Sequence, residues 1–215
     1  MVGGFQSPPA FVAQHHGILL MFTLYGDRIS GNCLKVKYVA DHLGLTYRWV
    51  DVNVVKGEAR QPQFVEKFPM AQVPAVEFAD GRRLAQSNAL MLHLAEGSDL
   101  IPADSFARAE MMQWLFWEQY SHETAIAVRR FQKHYLGKLD DEIDPALMAR
   151  GNSALELMQR HLAARAWFAG DSLSCADVAL VAYTRLAHEG GFDLAQWPAV
   201  QAWVMRVEQA LGIAG

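Results

Sequence analysis

A short apolar run, Phe22-Thr23-Leu24-Tyr25, gives way to Gly26-Asp27-Arg28-Ile29 and then to Ser30-Gly31-Asn32-Cys33, after which apolar residues return at helical spacing. The run reads as a buried strand. Cys33, Val36, Ala40 and Leu43 then recur on one helical face until Gly44 stops the pattern. A strand that feeds a helix in this way sets Ser30 and Asn32 beside backbone N–H groups that have no intrahelical partner. Such a helix end favours an anion, a thiolate included. Thr46–Asn53, β-branched and aromatic with partial alternation, reads as the next strand. A strand, helix and strand of this length allow a right-handed parallel crossover.

The pattern then changes twice. Lys56-Gly57-Glu58 reads as a loop, and Gln61–Phe68 as a short helix with Pro62 early, where its missing N–H costs little. Ala75–Phe78 is a third strand, Asp80-Gly81 a hairpin turn and Arg82–Ala85 the returning strand. Ser87 or Asn88 caps a helix through Glu96. The order βαβ-α-ββα makes residues 21–97 an α+β, thioredoxin-like domain with a mixed four-stranded sheet. Residues 98–104 form a linker, and 105–215 an all-α helical bundle domain. In that bundle Ser105 to about Tyr135 is one long helix rich in Met, Trp, Phe and Tyr. Asp144 and Pro145 open a second. Ser174-Cys175-Ala176-Asp177 is a capping box with Asp in place of Glu, flanked by Leu173 and Val178 as a hydrophobic staple. That helix is expected to run to about Glu189, and Trp197-Pro198 opens a last one to about Leu211. Residues 1–20 read as a disordered tail or as sequence ahead of a start at Met21; they carry no basic n-region of a signal peptide.

With 52% hydrophobic and 20% charged residues the chain can bury full cores and keep a polar surface. A formal charge of −4 gives no general attraction to nucleic acid. Arg129, Arg130, Lys133 and Lys138 form a local basic cluster, expected to be a solvated helix face. No apolar run is long enough to span a bilayer, so no membrane partner is expected. Cys33 and Cys175 make no C-x-x-C and read as packing residues, a pattern that suits a reducing cytoplasm. There is no Walker loop, no G-x-G-x-x-G and no histidine cluster with metal-ligand spacing, and His122-Glu123 lacks the second histidine of H-E-x-x-H.

The run Leu24-Tyr25-Gly26-Asp27, Ser30-Gly31-Asn32-Cys33 and Lys35-Val36, with Gln72-Val73-Pro74-Ala75 and Gln86-Ser87-Asn88-Ala89, resembles cytosolic glutathione S-transferases. It looks closest to the bacterial branches with serine or asparagine at the active site, and the resemblance covers Met21 to about Leu211. It implies glutathione as a substrate, with no separate cofactor and no metal, and it implies a homodimer. It also implies a cis peptide bond before Pro74, turning the Val73 N–H and C=O toward the cysteinyl backbone of glutathione like a strand edge. Ser87, at a helix start, would take the γ-glutamyl carboxylate. Gln86 stands where relatives often carry a carboxylate, and would meet the γ-glutamyl ammonium without charge. Gln72 would meet the glutathione backbone. Lys56 or Arg60 would reach the glycyl carboxylate; Ala59 departs from the relatives that place a histidine near there for that task.

For the reacting sulfur the residues leave a choice. Lowering a thiol pKa from about 8.5 by about two units requires roughly 2.7 kcal/mol of preference for the thiolate. One hydroxyl hydrogen bond to a charged group supplies about 1.5–3 kcal/mol and a helix terminus roughly 0.3–1. Ser30 is the first candidate for that hydroxyl and Asn32 the competitor. Tyr25 is a third donor, and Ser30 could instead serve only as an N-cap. Phe116 and Tyr120, four apart on one helix face, are the candidates for the pocket of a small hydrophobic electrophile. Asp177 is expected to be structural. The resemblance implies a transferase that conjugates the glutathione thiolate to such an electrophile. A glutathione-dependent disulfide or peroxide reductase, and a non-catalytic glutathione-binding module, are its alternatives.

Overall fold

The structure, a computed structural model, describes residues 22–213; the expectations placed on residues 1–20 lie outside them. Strands β1 (Phe22–Gly26), β2 (Tyr47–Asp51), β3 (Ala75–Phe78) and β4 (Arg83–Ala85) form one sheet in the order β2-β1-β3-β4. β1 and β2 are parallel, joined across helix α1 (Gly31–His42), while β1–β3 and β3–β4 are antiparallel. The alternation in β1 sends Phe22 and Leu24 into a core with Val36 and Ala40 of α1, Val76 and Phe78 of β3, and Leu90 of helix α3 (Ser87–Ala95). The opposite sheet face is closed by a smaller cluster of Val52, Ala59, Phe64, Phe68 and Ala75, with Tyr25 against it.

In the first half, two elements are markedly shorter than the residue pattern predicts. β2 stops at Asp51, because β1 ends at Gly26 and the Val52 N–H pairs with the Gly26 carbonyl as the last rung. The helix expected over Gln61–Phe68 is α-helical only as α2 (Pro62–Val65), after a 3₁₀ turn at Glu58–Arg60. The chain there must fold back to carry Gln72 and Val73 to the sheet end.

The second half is all helical. α4 (Ser105–Trp117) opens on the Asp104 cap, whose carboxylate accepts from the Ala107 N–H at 2.8 Å. It continues through a π-helical stretch (Glu118–Ala127), one α turn, α5 (Val128–Arg130), and a second π stretch (Phe131–Tyr135). α6 (Pro145–Leu162), α7 (Cys175–Thr184) and α8 (Pro198–Leu211) complete the bundle. The helix expected to reach Glu189 ends as α7 at Thr184, and a 3₁₀ turn, Ala187–Gly190, follows. Every residue of α7 is buried, as an apolar-all-round helix requires. α7 packs on α1, α4 and α8, so it is the post on which both halves rest.

Asp177 anchors that post. Its carboxylate accepts from the Ser174 N–H (3.0 Å) and hydroxyl (2.8 Å), the Phe168 N–H (3.1 Å) and the Trp203 indole N–H (2.9 Å). Burial pushes its pKa up to about 6, and these donors pull against that rise. Removing the carboxylate leaves several buried donors without an acceptor. Asp177→Ala is expected to cost on the order of 3 kcal/mol or more of unfolding free energy, measured by urea titration. A loss below about 1 kcal/mol would contradict the structural role given to Asp177.

Candidate functional site

Where the sheet end meets the long helix, a cleft of about 370 Å³ opens. Three chain turns from the first half build one wall. The loop after β1 ends on Ser30, which caps α1 with extended backbone and accepts the Cys33 N–H at a long 3.5 Å. Beyond Cys33 of the same helix turn, whose thiol it also meets, the Ser30 hydroxyl has no partner among the described residues. The second turn is Gln72-Val73-Pro74, with a cis peptide bond between Val73 and Pro74. The third joins β4 to α3 through Gln86, which holds φ at 73°, a left-handed value unusual for a residue with a side chain and typical of functional sites. Gln86 donates to the Gln72 side-chain oxygen at 3.2 Å, so two amides line this end of the cleft together.

Asn32 sits at the centre of a buried network. Its Oδ1 accepts from the Lys35 ammonium at 2.8 Å and from the Ser87 hydroxyl at 3.0 Å. Its Nδ2 donates to Glu123 at 2.8 Å, and its backbone N–H to the Tyr183 hydroxyl at 3.2 Å. Lys35 is 0% exposed and pairs with Glu118, also 0% exposed, at 2.8 Å. Glu123 lies 3.6 Å from the same ammonium. α1 can approach α7 this closely because residue 31 is glycine: a Cβ there would stand 2.5 Å from the Tyr183 ring. Ser87 is the first residue of α3, with Gln86 at the cap position, and its hydroxyl turns to Asn32 instead of capping.

The helical wall differs from the sequence expectation. Gln119, Glu123 and Phe131 face the cleft. Phe116 and Tyr120 do not line it and are 68% and 86% exposed. The reason lies in the helix geometry. In an α-helix of 3.6 residues per turn a row of residues four apart drifts around the axis, and the wider π turn rewinds it. Alternating α and π stretches therefore hold Gln119, Glu123, Ala127, Phe131 and Tyr135 in one row, of which Gln119, Glu123 and Phe131 line the cleft. The four-residue spacing is visible in the sequence, but the π stretches that straighten it are not.

A second, smaller pocket of about 190 Å³ adjoins the first and shares Ser30, Val54 and Phe131 with it. Ala127, Arg130, Tyr135 and Tyr183 complete its lining. The expected solvated basic face is therefore only partly solvated. Arg129 and Arg130 are 4% and 2% exposed. Arg129 donates to the Gly190 carbonyl and Asp140, and Arg130 to Glu189 and the Ile29 carbonyl. The bundle needs these guanidinium groups to satisfy carbonyls at the turn after α7 and in the loop before Ser30.

Other candidates fall into place around this. Tyr25 lies on the far face of the sheet, its hydroxyl 3.1 Å from Glu77 and its ring edge-on to Phe68, and it lines neither pocket. Lys56 is exposed on the turn after β2 and outside the cleft, where its N–H binds Asn53 Oδ1 at 2.8 Å; Arg60 lines the cleft instead. Cys33 is buried, its Sγ accepting the Asp27 N–H at 3.3 Å. Burial pushes its thiol up to about 11, against the hydrogen bonds from Ser30 and Asp27, and burial raises Cys175 to about 12.

Comparison with known proteins points to one family. A family model described as Glutathione S-transferase, N-terminal domain matches residues 20–96, and one described as Glutathione S-transferase, C-terminal domain matches residues 128–210. The crystal structure of a glutathione S-transferase from Pseudomonas fluorescens Pf-5 is 42% identical with a TM-score of 0.84, covering 87% of this chain and 94% of that one. Glutathione S-transferase-like protein LUC7 of Fusarium sp is 30% identical, covering 85% of this chain and 86% of the relative. Disulfide-bond oxidoreductase YfcG of Escherichia coli K12 is 27% identical, covering 80% and 84%.

The buried, protonated thiols define an expected outcome. In the native protein at pH 7, Cys33 and Cys175 should react with a colorimetric disulfide reagent about a hundred-fold or more slowly than free cysteine, because the thiolate is the reactive form. Both should react at once in denaturant. Rapid labelling of the native protein at Cys33 would contradict its assignment as a packing residue.

Proposed function

The chain belongs to the glutathione S-transferase family, and from that membership we propose that it binds glutathione in the larger cleft and activates its thiol at Ser30 for transfer to a small hydrophobic electrophile in the adjoining pocket. One observation carries this reading. Ser30 lines both pockets, and its hydroxyl has no partner among the described residues beyond its own helix turn, where it meets only the Cys33 N–H and thiol. Asn32, the competing donor, already gives one amide proton to Glu123, and its oxygen takes Lys35 and Ser87. Ser30 is thus the hydroxyl donor open to a sulfur, and Asn32, fixed by these bonds, holds the α1 terminus in place. This supports the serine/asparagine type of site.

The remaining parts of glutathione match the lining. The γ-glutamyl carboxylate meets the start of α3 at Ser87, where first-turn N–H groups have no intrahelical acceptor. The γ-glutamyl ammonium meets Gln72 and Gln86 without charge; Glu123, facing the same cleft, supplies the negative charge that those amides lack. The Val73 backbone pairs with the cysteinyl residue, and Arg60 takes the glycyl carboxylate. The pocket of Ala127, Phe131, Tyr135 and Tyr183 takes the electrophile in place of Phe116 and Tyr120. Those two, with Phe106, leave aromatic surface exposed on the long helix, and a homodimer that covers it is part of the same proposal, as is a cytoplasmic location.

The likeness to a disulfide-bond oxidoreductase favours a second reading, glutathione-dependent reduction of a disulfide at the same thiolate. Parallel assays with a chlorinated aromatic and a mixed disulfide rank the two.

Ser30→Ala is expected to lower turnover ten-fold or more, the equivalent of about 1.4 kcal/mol or more from one lost charged hydrogen bond. An unchanged rate would move the role to Asn32. Calorimetry that detects no glutathione binding at millimolar concentration would remove both enzyme readings.

A further inference from the structure

The loop that delivers Ser30 to the cleft is anchored mainly at its start. There the Asp27 carboxylate accepts from the Ile29 and Val54 N–H groups. Further on, Arg28 and Ile29 are exposed, and the Arg28–Asp51 pair is solvated on both sides and holds weakly. The Ser30 side chain meets only Cys33 of its own helix turn. Where its hydroxyl points is therefore decided by the backbone. The Ile29 carbonyl and the Ser30 N–H belong to one planar peptide group, and that plane is held at both ends. The Ser30 N–H donates to the Asp27 carbonyl at 3.1 Å, within the loop. The Ile29 carbonyl accepts from Arg130 Nη1 at 2.7 Å, a bond that comes from α5 in the helical half.

Arg130 is held so that this bond has a fixed direction. The residue is buried, its Nε donates to Glu189 at 2.5 Å, and its guanidinium lies 5.6 Å from the centroid of the Tyr135 ring. Glu189 belongs to the 3₁₀ turn after α7. A planar guanidinium gripped along one edge presents its remaining nitrogens in set directions, which an ammonium does not. We propose that Arg130 and Glu189 are positioning residues: together they fix the Ile29–Ser30 peptide and so set the Ser30 hydroxyl against the sulfur of glutathione. The proposal rests on the glutathione reading above. Neither residue touches the sulfur in this role. A hydrogen bond weakens steeply as its angle closes, so a tilt of this one peptide removes part of the thiolate stabilisation. The charge of Glu189 works the other way. It offsets the positive charge of Arg130, and its removal would by charge alone favour a nearby thiolate. Charge and position therefore act with opposite sign when Glu189 is neutralised.

The test titrates the ultraviolet absorbance of bound glutathione thiolate in Arg130→Lys, which keeps the charge without the fork, and in Glu189→Gln. S-methylglutathione, which has no thiol to ionise, reports the rest of the cleft by calorimetry. Both variants are expected to raise the thiolate midpoint by about 0.3 pH unit or more, roughly a two-fold loss of ionised sulfur, while S-methylglutathione affinity changes less than about two-fold. A smaller rise, or a fall in Glu189→Gln, overturns the proposal. So does a larger loss of S-methylglutathione affinity, the mark of a cleft disturbed as a whole. Should Arg130→Lys not fold, Glu189→Gln decides alone by the same two readings. Absence of glutathione binding by the unsubstituted protein is the separate result that fails the underlying reading and this proposal with it.

Discussion

A lysine with no exposed surface ties the two halves of this protein together. Lys35 comes from α1 and its partner Glu118 from the long helix, and Glu123 and Asn32 complete its surroundings. Burying such a pair costs several kcal/mol of desolvation per ion, of which the attraction returns a variable part, while removing one partner alone costs roughly 3–5 kcal/mol. The pair is therefore a weak source of net stability and a strong constraint on geometry. It sets the rotation of α1, and with it the direction in which the helix start points.

That direction has a chemical consequence. Asn32 is held on four sides, by Lys35, Ser87, Glu123 and Tyr183. The Ser30 side chain, two residues earlier, meets only Cys33 of its own helix turn and lines the cleft. The helix start, the spare hydroxyl and the strand-like edge at Val73 converge on one place where a sulfur anion is favoured. Arg130 extends the arrangement: by binding the Ile29 carbonyl it ties the Ser30 loop to the neighbouring pocket.

Much of this could be read from the chain. β3 at Ala75–Phe78, the Asp80-Gly81 turn, the Ser30 cap and the Asp177 capping box follow from local chemistry, and the structure has them where local chemistry puts them. What escaped depends on partners far along the chain. Lys35, Arg129 and Arg130 look like solvent residues until Glu118, Gly190 and Glu189 are placed beside them. Phe116 and Tyr120 look like pocket residues because an aromatic pair four apart shares a face, yet periodicity alone does not say which face meets the sheet. The π stretches answer that question through packing, which no single-sequence spacing encodes.

The central claim is that the α1 terminus and Ser30 hold glutathione sulfur as a thiolate. Titrating the thiolate ultraviolet absorbance of glutathione bound to the protein tests it most directly. The account predicts a midpoint at least about one unit below the free thiol value of about 8.5. A midpoint at or above the free value, with glutathione demonstrably bound, would contradict it.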